Sequence, residues 1–204
     1  MWRYHPQTEA LVRLSEEIAP LRVVSAAFGF RLPDQDTANV RLQADLEGGA
    51  LMDVGCYCVS ALRLLCGEPT RVSGEQIAGG DGGVDIRFSG VMRFEGDVLG
   101  SFDCGMDVFR RNSIEVVGST GEIHVPSPWQ TPLGSEILIV RDGLHAPERI
   151  VPESVDPYAR ELDDVGAAIE NGTAPRLGRE ESLGQARTID ALYRAAAEGR
   201  AITL

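Results

Sequence analysis

The sequence contains no lysine, and all nineteen of its basic residues are arginine. This excludes a lysine general base, a Schiff-base lysine or a phosphate-loop lysine supplied by this chain. Only four cysteines and three histidines occur in 204 residues. Cys56-x-Cys58 lacks the C-x-x-C spacing of zinc ribbons, and His5, His124 and His145 stand in no ligand-like register. Reduced, buried thiols are therefore expected, and no metal site. No apolar run approaches the ~20 residues of a membrane span, and the opening MWRYHPQTEA lacks the basic and apolar segments of a secretory signal. A cytoplasmic chain with no membrane partner is the expectation. Acids outnumber the arginines and leave a net charge of -12, which works against a phosphate backbone, so nucleic acid is not an expected partner.

What is present is ordinary globular composition, 43% hydrophobic and 25% charged, enough to build a sizeable core. A helical stripe of Leu11, Leu14 and Ile18 begins behind Pro6 and ends at Pro20. Residues 21 to 32 alternate, with Val24, Ala26, Phe28 and Phe30 on one side and Ser25, Ala27, Gly29 and Arg31 on the other. Period-two signals return over residues 84–95 and 98–108, then in SIEVVGS, GEIHV and SEILIVRDG, with connections too short for crossover helices. Two helical stripes follow, Tyr158, Leu162, Val165 and Ile169, then Leu183, Ala186, Ile189, Tyr193 and Ala196, and AITL suits a last short strand. The expected fold is α+β in a single domain over residues 1–204: a large, mostly antiparallel, open-faced sheet with helices on one face. Its other face mixes polar groups with Val91, Leu99 and Phe109, so a homo-oligomer that covers it is expected.

The stretch GGALMDVGCYCVSALRLLCGEP, residues 48–69, concentrates the chemistry. It reads as a helix that starts through Gly48-Gly49 and stops at Gly67 and Pro69, with Asp53 and Tyr57 four apart on one face. Two readings stand. Asp53 is a first-turn acid and Tyr57 a packed aromatic, or the pair is catalytic. A tyrosine base near neutral pH must drop roughly three units, about 4 kcal/mol, and a neighbouring carboxylate pushes the wrong way. A cation has to come from elsewhere.

Met1-Trp2-Arg3-Tyr4-His5-Pro6-Gln7, Asn39-Val40-Arg41-Leu42, the G-G-x-L-x-D-x-G-x-Y run ending at Tyr57, Gly118-Ser119-Thr120-Gly121-Glu122-Ile123, Asp156-Pro157-Tyr158 with Glu161-Leu162, and Ile189-Asp190-Ala191-Leu192 follow one another in a telling order. In that order the chain resembles, nearly end to end, the C-terminal domain of the Gfo/Idh/MocA oxidoreductases, in the glucose-fructose oxidoreductase and dihydrodiol dehydrogenase branch. The resemblance implies NAD or NADP as cofactor and a sugar, polyol or similar hydroxy compound as substrate. It also implies catalytic roles for Tyr57, as proton donor or acceptor, and Asp53, a substrate contact at Arg41, and Arg3 near the cofactor. The family's Rossmann domain and its Glu-Lys-Pro lysine have no counterpart here, and Gly79-Gly80-Asp81-Gly82-Gly83 opens no helix. The implied cofactor is therefore expected not to bind this chain alone, and a separate Rossmann-domain polypeptide, or sequence beyond this chain, is an expected partner. A non-catalytic ligand-binding or assembly module derived from the family is the alternative.

Overall fold

The computed structural model describes residues 1–33, 38–79, 83–129, 136–141 and 146–204. Helix α1 (Pro6–Glu17) starts behind His5, whose Nδ1 accepts a hydrogen bond from the Gln7 amide at 3.0 Å, with Pro6 where a missing N–H costs nothing. Strand β1 (Leu21–Arg31) follows. Short 3-10 turns at Val40–Leu42 and Ala44–Leu46 lead to one π-helical turn, Leu51–Gly55, which runs directly into α2 (Cys56–Cys66). Then come β2 (Pro69–Ala78), β3 (Asp85–Phe94), β4 (Leu99–Gly105), β5 (Asp107–Gly118), β6 (Gly121–Val125), β7 (Ile137–Arg141) and β8 (Glu148–Ile150). The chain closes with α3 (Pro157–Asn171), α4 (Arg179–Glu198) and β9 (Ile202–Thr203).

Among the described residues nine strands form one sheet in the order β8-β7-β6-β5-β1-β4-β3-β2-β9, in which β1 and β4 run parallel and the other neighbouring pairs antiparallel. Val24, Ala26, Phe88, Met92, Phe102, Ile114 and Val116 are buried, with α1, α2 and α4 packed over that side. The other side is open, and a row formed by Leu99, Val23 and Val117 in register leaves apolar surface there.

The expected fold class is thus the observed one, with four differences in detail. Residues 98–108 are not one strand. The chain turns at the buried Met106, whose amide donates to Ile86 O (2.9 Å) and whose carbonyl accepts from Leu32 N (2.8 Å), so β4 and β5 part to flank β1 on opposite edges. The sheet is therefore not a plain meander, because local alternation says nothing about which strand inserts between which. β2 gave no strand signal: only Pro69 and Val72 in it are buried, so it carries no apolar alternation. β8, a three-residue edge, gave none either.

The third difference concerns α3. Asp156 caps its start, accepting from the Tyr158 amide (2.9 Å), and Gly172 closes the helix in the left-handed region. Its apolar stripe, however, faces outward: Tyr158, Leu162, Val165 and Ile169 are 58%, 72%, 41% and 77% exposed. The body is held instead through polar links, Met1 N to Glu161 (3.3 Å) and Tyr4 Oη to Asp164 Oδ2 (3.1 Å).

The fourth concerns hydropathy. Ala44–Cys66 is on average long and apolar enough for a membrane span, and 56% of its most apolar window is buried. Its apolar side chains, including Leu51, Val54, Val59 and Leu62, lie against the sheet.

Candidate functional site

Gly48 and Gly49 are where backbone meets backbone. Gly48 N donates to Gln43 O (3.0 Å) and Gly49 N to Arg41 O (2.9 Å), and a Cβ on Gly48 would stand 2.5 Å from Arg41 O. The loop bearing Arg41 is thereby drawn against the start of the helix. Gly49 has φ 122, a region side chains avoid, and a Cβ there would collide with the Asp85 carboxylate.

Asp85, at the start of β3, is 5% exposed and caps the helical segment: Oδ2 accepts from the Leu51 amide (2.8 Å) and Oδ1 from the Tyr193 hydroxyl (2.9 Å). Burial pushes its carboxyl above the ordinary carboxylate range, while these hydrogen bonds pull the other way. Two elements thus meet in one anchor at the start of the π turn: α4 supplies Tyr193 and β3 supplies Asp85. Sequence reading placed Asp85 only as a polar strand position, since a buried acid and an exposed one look alike in an alternating strand.

The anchored segment carries Asp53 and Tyr57 to one cavity of about 710 Å³, which is also lined by Arg41 and, from β1 and β5, by Phe28, Phe30, Asp107, Phe109 and Arg110. Arg41 Nε donates to Asp53 Oδ2 at 2.7 Å, and its guanidinium lies 6.0 Å from the Phe30 ring centroid. Three of the four candidates from the sequence, Tyr57, Asp53 and Arg41, are therefore brought together. The pairing leaves the other guanidinium nitrogens and one carboxylate oxygen available to a polyhydroxylated ligand, which offers both donors and acceptors.

Tyr57 sits in an aromatic cluster that sequence reading missed. Its ring lies 5.3 Å from Phe28 and 6.0 Å from Trp129, which in turn stacks on Phe28 and meets Trp2 edge-on. Trp129 is held by a hydrogen bond from Nε1 to Ala27 O (2.9 Å). Nothing in the local pattern singles out a tryptophan beyond the end of β6; long-range packing alone brings it here. Burial pushes the Tyr57 phenol above its ordinary range, with Cys56, Tyr158, Asp53 and Glu161 adding to the shift. The hydroxyl thus keeps its proton at neutral pH and can act as an acid. Cys56, Cys58, Cys66 and Cys104 are free thiols; burial pushes Cys56 up to about 11 and Cys66 to about 12, which makes them poor nucleophiles.

The fourth candidate, Arg3, lines a second cleft of about 340 Å³ with Met1, Trp2, Cys56, Tyr57, Ser60, Leu177, Glu181, Ser182 and Gln185. Tyr57 therefore stands in the wall between two clefts. Arg3 is 5% exposed; its guanidinium donates to Ser60 O (2.8 Å) and pairs with Glu181 (2.9 Å), and its buried Nε finds no partner among the described residues. Glu181 also pairs with Arg63 (2.7 Å).

Gly79 and Gly83 belong to the connection between antiparallel neighbours β2 and β3, with residues 80–82 outside the described residues. Of the candidate cations, Arg41 pairs with Asp53 and Arg3 with Glu181. Among the described residues no cluster of three potential metal ligands exists; His5 caps α1, and His145 lies outside the described residues.

The fold is thus an open-faced α+β sheet on which the π turn and α2 present Asp53 and Tyr57 to one cavity. Residues 9–124 match the model of the GFO/IDH/MocA C-terminal domain, and the chain belongs to that family. It is 36% identical to D-xylose 1-dehydrogenase (NADP(+)) 2 of Haloferax volcanii over 210 residues, covering all of this chain and 63% of that protein. It is 32% identical to human trans-1,2-dihydrobenzene-1,2-diol dehydrogenase, over 74% of this chain and 45% of that one. Among solved structures, the aldose-aldose oxidoreductase of Caulobacter crescentus complexed with glycerol superposes with a TM-score of 0.89 at 26% identity, covering 100% of this chain and 62% of that one. A 3-ketoreductase of Actinomadura kijaniata, in complex with NADP and TDP-benzene, gives 0.87 at 27% identity, with 95% and 60% covered. The chain spans 63% or less of the length of each of these relatives.

Proposed function

We propose that this chain is the substrate-binding and oligomerisation part of an NAD(P)-dependent oxidoreductase acting on a sugar, polyol or similar hydroxy compound. One observation carries the reading: Tyr57, Asp53 and Arg41 line a single cavity together with Phe28, which packs edge-on against Tyr57. The relatives named for NADP-dependent or sugar-directed reactions support the class. Arg41 and Asp53 hold substrate hydroxyls by complementary donors and acceptors. Tyr57, with its proton retained, gives that proton to the substrate oxygen in reduction and recovers it in oxidation. A nicotinamide supplies the hydride when a nucleotide-binding unit is joined to this chain. The open sheet face, with Leu99, Val23 and Val117 exposed on it, is covered by a second copy.

Turnover with NAD(P)H and a panel of aldoses and polyols, measured on this chain fused behind the nucleotide-binding part of the Haloferax relative, tests the proposal. Tyr57→Phe is expected to lower kcat by roughly 10²–10⁴-fold with little change in folding. Full activity in that variant would remove Tyr57 from the mechanism. The alternative of a non-catalytic binding or assembly module draws on the absence of any lysine; a fusion that binds NAD(P)H and sugar without turnover would favour it.

A further inference from the structure

The cavity that bears Tyr57 and a cleft at the C-terminal end of α2 differ in the sign of their charge. Among the described residues the first is lined by Arg31, Arg41 and Arg110 against Asp53 and Asp107. The other, of about 760 Å³, is walled by Glu68, Glu95, Glu180 and Glu181, with Arg187 as its lining cation. In a chain of net charge -12 the acidic cleft is what composition alone produces, and the cationic cavity is the exception.

The acids of that cavity are also answered from within the protein. Asp53 Oδ2 is paired with Arg41 Nε (2.7 Å), and Asp107 Oδ1 with Nε of Arg87 (3.3 Å), a β3 residue outside the cavity lining. The Arg110 side chain, by contrast, has no carboxylate partner among the described residues. An unpaired guanidinium on a cavity wall is a planar fork of donors, and carboxylate and phosphate oxygens match that fork two at a time.

The backbone shows how Arg110 comes to the wall. Gly29 of β1 pairs with Arg111 of β5, and Arg31 pairs with Asp107, so Phe30 alone stands opposite Val108, Phe109 and Arg110. β5 is therefore bulged here, and a bulge takes side chains out of the alternation that the rest of the strand obeys. A Cβ on Gly29 would stand 2.6 Å from Val108 Cγ2, so glycine is what lets the bulge fold against β1. Phe109, 92% exposed, lines the same cavity beside Arg110 and supplies an aromatic face on which the carbon-bound hydrogens of a sugar ring can pack.

We propose that the β5 bulge is a specificity subsite of the Tyr57 cavity, and that Arg110 there binds the carboxylate or phosphate of an anionic sugar. The proposal rests on the oxidoreductase reading above and narrows its substrate class: the carbinol carbon lies at Tyr57 and the anionic group at Arg110, at another part of the same molecule.

Calorimetric titration of this chain with D-glucose, D-glucuronate and D-glucose 6-phosphate tests it. At least one of the anionic sugars is expected to bind roughly tenfold or more tightly than glucose, and which of the two does so identifies the anion. The preference should shrink as ionic strength rises, because Arg110 is exposed to solvent. Arg110→Gln should abolish it, and Arg110→Lys, which keeps the charge without the fork, should restore part of it. Circular dichroism reports that each variant still folds. Equal affinities for the three sugars, no measurable binding of either anionic sugar, or a preference that survives Arg110→Gln overturns the proposal. The fusion described above separates this failure from that of the wider reading. Turnover of neutral sugars with no preference for anionic ones would dismiss the subsite alone. An Arg110-dependent preference in a fusion that turns over no sugar would sustain the subsite and dismiss the oxidoreductase reading.

Discussion

α2 and α3 carry similar information in sequence and have opposite fates in the fold. Each is an amphipathic helix that ends at a glycine. α2 turns its apolar side chains onto the sheet, with Cys58, Val59, Ala61 and Leu62 all buried, and what remains outside the core is the side that bears Tyr57. α3 does the reverse, anchoring itself through Glu161 and Asp164 and leaving its apolar stripe in the open. A hydrophobic stripe states that a helix has a partner. Whether the partner lies within the same chain depends on which surfaces the rest of the fold leaves uncovered.

The contrast can be broken experimentally. Leu62→Ala in α2 empties a fully buried site and should cost about 2–5 kcal/mol, read from denaturant midpoints of the unfused chain. Next in size, Gly49→Ala forces a side chain into the left-handed region and against Asp85, with an expected cost of about 1–3 kcal/mol and displacement of Asp53 from Arg41. A smaller effect depends on pH. Burial raises the Asp85 carboxyl on folding, so its contribution is fully present below the unfolded value and is lost as pH rises through the raised one. Asp85→Asn should therefore gain stability relative to the parent as pH rises through the ordinary carboxylate range and above it, and parallel stability curves would contradict that. Smallest of all, Leu162→Ala in α3 should stay within about 0.5 kcal/mol in the unfused chain. A loss comparable with that of Leu62→Ala would mean that α3 is packed in solution and the contrast is wrong.

The legible parts of this protein were those set by short-range patterning. The alternation in β1, the first-turn place of Pro6, and the spacing of Asp53 and Tyr57 all depend on residues a few positions apart. β2 was invisible because it is mostly exposed and carries no alternation. The turn at Met106 was invisible because it is specified by backbone bonds to Ile86 and Leu32, not by a glycine or proline. The site divides in the same way. Asp53, Tyr57 and Arg41 were readable as chemistry-bearing residues through their motif context, whereas Trp129, Asp85 and Tyr193 reach the site from 28 to 136 residues beyond Tyr57.

Composition and local order determined a lysine-free, acidic α+β chain with one helix bearing an acid and a tyrosine on a shared face. Only the tertiary structure decided that Arg41 closes on Asp53, that Tyr57 divides two clefts, and that α3 shows its apolar side to solvent. The physical reason is range: helix periods and caps are settled within a few residues, while burial and pairing depend on which distant surfaces the sheet brings into contact.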